Sequence, residues 1–162
     1  MGRVALTTND HAKLKRAVAQ QFHDLLNFEK FTPIQIDRVV SNARVRIVHL
    51  NRDENPQVVV QAGDLAGGCS PTGNCPIWVF KKKSYTFEAI LESQGQAFQI
   101  LRSSGGEYLD FVVVTHGSAF EKELWFYQYA EGKYKQTSCF TARFQQQEFR
   151  TNMKKITVTK CG

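Results

Sequence analysis

From residue 44 onward the chain is written in a period of two. Runs in which apolar and polar side chains alternate, or in which Val, Ile, Phe, Tyr and Trp crowd together, recur at 44–50, 57–62, 76–81, 84–91, 97–102, 108–115, 122–129, 133–141 and 155–160. A two-residue period places successive side chains on opposite faces of a strand. Turn-formers separate the runs: "RDENP", "GDLAGG", "KKK", "SQGQ", "SSGGE" and "EGK". Short strands at this spacing make antiparallel sheet. "YAEGKYK" is a hairpin signal, with Gly132 at its left-handed position. Residues 142–154, "ARFQQQEFRTNMK", read as a helical turn or an irregular excursion.

One segment has a helical period instead. In 9–28, "NDHAKLKRAVAQQFHDLLNF", Leu14, Val18, Phe22 and Leu25 form one apolar stripe, and Asn9 or Asp10 can cap its start. Pro33 falls in the connection that follows. The expected fold is α+β: an N-terminal helix at 9–28 packed on a mainly antiparallel β region at 44–141, sandwich or barrel-like, of about eight or nine strands, with 142–162 tied back to it. A chain of 162 residues suits a single domain, 1–162, and no linker divides it.

No stretch approaches the roughly 20 apolar residues a membrane span requires. The start "MGRVALTTNDHAKLKR" has no apolar core of a signal peptide, so an exported protein would have lost its leader ahead of Met1. The net charge of +6 favours an anionic partner, whether nucleic acid, anionic lipid, an envelope polymer or an acidic protein, and does not choose among them. Lys81, Lys82 and Lys83 are the densest basic run; they read as a solvated strand end and as a possible binding patch.

The compartment is set by four cysteines, Cys69, Cys75, Cys139 and Cys161. Zinc sites use closer pairs or nearby histidines, and a redox centre uses C-x-x-C; neither pattern is present. The expectation is two disulfides, Cys69–Cys75 across the loop "CSPTGNC" and Cys139–Cys161 at the C-terminal end, with no metal and no cofactor. Chain-entropy reasoning gives them about 2 and about 3 kcal/mol. Such bridges persist in oxidising compartments, so a periplasmic or secreted location is expected.

The stretch 49–60, "HLNRDENPQVVV", resembles the loop-then-strand of calcium-binding blade repeats of the integrin-type FG-GAP or VCBS class. Calcium needs several hard oxygens converging at about 2.4 Å. The alternate positions here are His49, Asn51, Asp53, Asn55 and Gln57, of which only Asp53 is charged. His49 replaces a usual aspartate and Gln57 a usual glutamate. The loop Asn51, Asp53, Asn55 is therefore expected to keep the turn and to have lost the ion. The order "NRDENPQVVV", "CSPTGNC", "PIWVF", "GEYLDFVVV", "YQYAEGKYK" over about 44–140 further resembles exported bacterial β-rich proteins of unknown function. That resemblance implies an exported β domain and no activity.

Three constellations could carry chemistry or binding. Asp110, His116, Ser118 and Glu121 invite a hydrolase reading, but the nucleophile elbow G-x-S-x-G is missing and "HGSA" reads as a turn. Glu121 and Glu123 share a strand face as a paired-carboxylate candidate, with Lys122 between them. Trp125, Tyr127 and Tyr129 share one face of a strand and form a possible binding platform, unless the helix covers them. Leu124 and Phe126, on the other face, are expected to meet Val112 and Val114 in the core. The function expected is a non-enzymatic exported binding module for an anionic partner. The alternatives are a hydrolase using 110–121 and a cytosolic nucleic-acid binder.

Overall fold

The computed structural model describes residues 6–26, 32–51, 55–63, 68–102, 105–145 and 155–161. Two helices, α1 (Thr8–Leu26) and α2 (Pro33–Ser41), precede nine strands: β1 (Arg44–Val48), β2 (Gln57–Gln61), β3 (Cys75–Lys82), β4 (Phe87–Gly95), β5 (Ala97–Leu101), β6 (Asp110–Ser118), β7 (Glu121–Ala130), β8 (Lys133–Gln145) and β9 (Lys155–Lys160). They form two antiparallel sheets in sequential order, β1-β2-β3-β4 and β5-β6-β7-β8-β9. This is the expected mainly β, α+β sandwich.

Both helices begin with reciprocal caps. For α1 the cap is Thr7, not Asn9 or Asp10: Asp10 N donates to Thr7 Oγ1 at 3.1 Å, and Thr7 N donates to Asp10 Oδ2 at 3.2 Å. The helix α2 occupies what the sequence reads as a connection containing Pro33. Pro33 is instead the first residue of the helix, where a missing N–H costs nothing. Thr32 caps it, with Gln35 N donating to Thr32 Oγ1 and Thr32 N donating to Gln35 Oε1. The strand expected at 84–91 begins only at Phe87, because Lys83 N bonds to Thr86 O and closes a turn. β8 continues to Gln145, through the start of the stretch read as a helical turn; residues 146–154 lie outside the described residues.

The first sheet is the middle layer. On one side Val58, Val60, Trp78, Phe80 and Phe87 pack against Leu14, Val18 and Val39 of the helices. On the other, Val59, Ile77, Val79, Ile90 and Leu91 pack against Phe111, Val113 and Tyr134 of the second sheet. A sheet covered on both faces needs apolar residues at every position. That is why "VVV" and "PIWVF" are continuous runs rather than alternating ones.

The placement of the second sheet corrects one expectation. Val112 pairs with Phe126 and Val114 with Leu124, as expected of hairpin neighbours. Their face points away from the first sheet, and the core side is the other one, carrying Phe111, Val113, Tyr127 and Tyr129. The helices lie on the first sheet, so no helix covers this outer face among the described residues. There Phe126 and Phe140 pack edge to face at 5.7 Å, while Ile156 and Val158 stay 53% and 58% exposed. The side chains of Phe22 and Leu25 lie outside the described residues.

The disulfides are Cys69–Cys75, with Cα atoms 4.1 Å apart, and Cys139–Cys161, 5.3 Å apart. The second fastens the end of β9 to the middle of β8, where Cys161 N also donates to Cys139 O. No described helix is long and apolar enough to cross a membrane.

Candidate functional site

The sheets meet at a corner. β4 leaves the first sheet at Gly95 and, one residue later, the chain enters the second sheet as β5. A Cβ on Gly95 would lie 2.4 Å from Val113 Cγ1 and 2.7 Å from Val114 O, so only glycine lets β4 cross β6 this closely. Gln96 N then donates to Val114 O at 2.8 Å. Beside this corner a cleft of about 400 Å³ opens between β4 and the core-side face of β6, β7 and β8.

Its floor grades from apolar to polar along β7. Tyr127 comes first, its hydroxyl bonded to Ser93 Oγ across the sheets at 2.9 Å. Next is Trp125, whose Nε1 donates to Glu123 Oε2 at 3.0 Å and to Thr115 Oγ1 at 3.3 Å. Thr115 stands directly opposite Glu123 in the β6–β7 register and also donates to its Oε2. Trp125 and Glu123 are thus held in one orientation by cross-strand partners. Glu92 and Gln94 of β4 form the facing rim.

The stapled loop forms the end wall. Within it Gly73 adopts φ +78° and its N–H donates to Ser70 O, while Ser70 N donates to Asn74 O. The Asn74 side chain then docks on β6, accepting from His116 N at 2.8 Å and donating to His116 O at 3.0 Å. Gln96 Nε2 reaches Thr72 O and His116 Nδ1, both at 3.0 Å. A carbonyl can only accept, so this atom is the amide NH₂, which holds the loop, the corner and the His116 ring together. The Cys69–Cys75 bridge therefore closes a loop that shapes the cleft.

Trp125 and Tyr127 line the cleft, as a binding platform requires. Tyr129 does not. It stacks on Tyr108 at 3.8 Å between ring centroids, packed against the core cluster, and burial beside Tyr108 raises its hydroxyl pKa. Lys81, Lys82 and Lys83 form no common patch: their ammonium groups reach Tyr108 Oη at 3.1 Å, Asp10 Oδ2 at 2.9 Å and Glu88 Oε2 at 3.1 Å. The Lys82–Asp10 pair joins β3 to the first turn of α1.

The hydrolase set is dispersed. Asp110 and His116 lie six residues apart on β6, roughly 20 Å along a strand. Ser118 Oγ accepts from Phe120 N, and Glu121 pairs with Arg143. The strand register shifts between His116 and Ser118, so the two do not follow the regular alternation of one face.

In the calcium-type loop, Gln57 is fully buried and serves as the centre. Its Oε1 accepts from Leu50 N at 2.8 Å; its Nε2 donates to Asn51 Oδ1 at 3.1 Å and to Asn55 O at 2.9 Å. An amide donor thus faces the oxygens that would otherwise turn toward an ion. Asp53 lies outside the described residues.

Sequence reasoning missed Asn74, Glu92, Gln94, Thr115 and Gln136 as cleft residues. The only available signal was Thr115 and Trp125 in facing strands with Glu123 two residues before Trp125. Comparison with family models, with curated proteins and with solved structures returns no match.

Proposed function

We propose that this chain is a non-enzymatic exported interaction module that holds its partner in the cleft against Trp125 and Tyr127. The observation that carries the reading is the cleft itself: half-buried aromatic side chains in an opening of about 400 Å³, locked by cross-strand hydrogen bonds and walled by a disulfide loop. Aromatic surface that stays open and rigid suits recognition, because little conformational entropy is lost on contact. The two disulfides support export, since such bonds persist in oxidising compartments.

Charge divides the surface into two roles. The net +6 supports long-range attraction of the module to an anionic envelope polymer or acidic protein. The cleft lining includes Glu92 and Glu123 and neither lysine nor arginine among the described residues, which supports a neutral or cationic group at the point of contact. Fluorescence titration tests the reading, because Trp78 is fully buried and Trp125 supplies the responsive signal. Saturable quenching by a ligand, absent in Trp125→Phe, is the expected result. Ligands that bind with equal affinity to the wild type and to Trp125→Ala would overturn it.

A further inference from the structure

The residues of β4 that line the cleft are consecutive: Glu92, Ser93 and Gln94. Side chains of consecutive strand residues alternate between faces. A cleft that meets all three meets the strand edge-on. One edge of β4 is taken by β3, and β4 ends its sheet, so the edge in the cleft has no strand partner among the described residues.

Hydrogen-bond alternation identifies which peptide groups face it. Pro76 O accepts from Ala62 N at 2.9 Å, on the β2 side of β3. Peptide groups of successive strand residues point to opposite edges. Ile77 therefore turns toward β4, and its register partner Ser93 turns toward β3. The N–H and C=O of Glu92 and of Gln94 are left pointing into the cleft, at the two-residue spacing with which an added strand pairs.

The other sheet edges carry basic guards. β1 contains Arg44 and Arg46, β9 ends in Lys160, and Arg102 directly follows β5. Charged edges of this kind deter strand pairing. β4, "FEAILESQG", has no basic residue and no proline. Its open edge lies opposite Trp125, with Glu123 fixed beside the indole.

We infer that the β4 edge and the Trp125–Glu123 face form one groove that takes an extended peptide of a partner protein by strand addition, with a lysine or arginine of that peptide seated against Trp125 and Glu123. Main-chain pairing at Glu92 and Gln94 supplies affinity, and the seated side chain supplies selectivity. A cation over the indole and beside the Glu123 carboxylate, which has no lysine or arginine partner among the described residues, satisfies the charge of the cleft. The inference rests on the cleft being the binding site and adds the class of occupant.

The probe is a displayed library of random heptapeptides selected on the full chain; the enriched peptides are then synthesised and titrated against Trp125 fluorescence. Two further forms of each peptide are made, one N-methylated at alternate residues in both registers and one with its basic residue changed to glutamate. Cellobiose and polyphosphate are titrated in parallel. Enriched peptides carrying a basic residue, weakened at least tenfold by N-methylation in one register and by the change to glutamate, are expected. Gln94→Pro, which removes an outward N–H and no bond to β3, should weaken them similarly; circular dichroism checks its fold, and the N-methylated peptides decide alone if it unfolds. Peptides that tolerate methylation in both registers would overturn strand addition and leave the cleft reading standing. So would a response to cellobiose or polyphosphate with no peptide enriched. If no probe perturbs Trp125, both readings fall.

Discussion

Asn74 holds both sides of one peptide residue: its Oδ1 accepts from His116 N at 2.8 Å and its Nδ2 donates to His116 O at 3.0 Å. The side chain imitates a strand partner and seals the stapled loop to β6. Asn74→Ala leaves two part-buried backbone groups unpaired, which should cost about 1–3 kcal/mol in urea denaturation. Asn74→Asp keeps the acceptor, loses the donor and brings a carboxylate to His116 O, so it should not restore stability. An alanine variant as stable as the wild type would mean that the loop is held by its disulfide alone.

The two bridges should differ in their contribution. Cys139–Cys161 spans a sequence separation of 22 and Cys69–Cys75 a separation of 6. Loop-closure entropy then gives about 3 and about 2 kcal/mol. Paired Cys→Ala replacements, each measured by denaturation, should reproduce that order. Mass spectrometry of unreduced digests should recover the same pairs; free thiols or crossed pairs would contradict the connectivity.

The ion pair between Lys82 and Asp10 predicts a window of acid sensitivity. The hydrogen bond from Lys82, then that from Thr7, holds the Asp10 carboxyl at about 2, below its ordinary 3.8. The folded pKa is depressed, so this contribution is complete above about pH 4 and is lost as pH falls toward 2. The stability gap between wild type and Asp10→Asn should therefore narrow between pH 4 and pH 2. A gap that stays constant over that interval would show that the pair does not favour folding.

Gln57 fills the calcium-type loop with an amide. Replacing it by glutamate turns its donor into a further oxygen facing Asn51 Oδ1 and Asn55 O. Gln57→Glu should melt below the wild type in chelator and recover in part with millimolar calcium, whereas the wild type should be indifferent to calcium. A calcium-dependent rise in the wild-type Tm would contradict this reading of the loop.

The strands were legible in the sequence because a two-residue period survives even where one face is only half-buried. α2 was not, because Pro33 reads as part of a connection unless the capping pair Thr32 and Gln35 around it is weighed as well. The face of β7 was read the wrong way round. "LWFYQY" has apolar side chains on both faces, so composition could not say which side meets the first sheet; that depends on where the helices dock. Trp125 and Tyr127 were found as a surface, but the cleft was not. It arises from β4 crossing β6 at Gly95, a contact between distant segments that leaves no local pattern. The pairing of Lys82 with Asp10, 72 residues away, is hidden for the same reason.

Hydrogen–deuterium exchange of single amides along β4 tests most directly whether the cleft holds an open strand edge. Leu91 and Ser93 are turned toward β3, so their amides should exchange slowly, at rates set by opening of the sheet. The amides of Glu92 and Gln94 face the cleft and should exchange far faster in the unliganded chain, giving a slow–fast–slow–fast sequence over 91–94. Protection of Glu92 and Gln94 equal to that of Ser93 would mean that the edge is already paired, and that the groove described here does not exist.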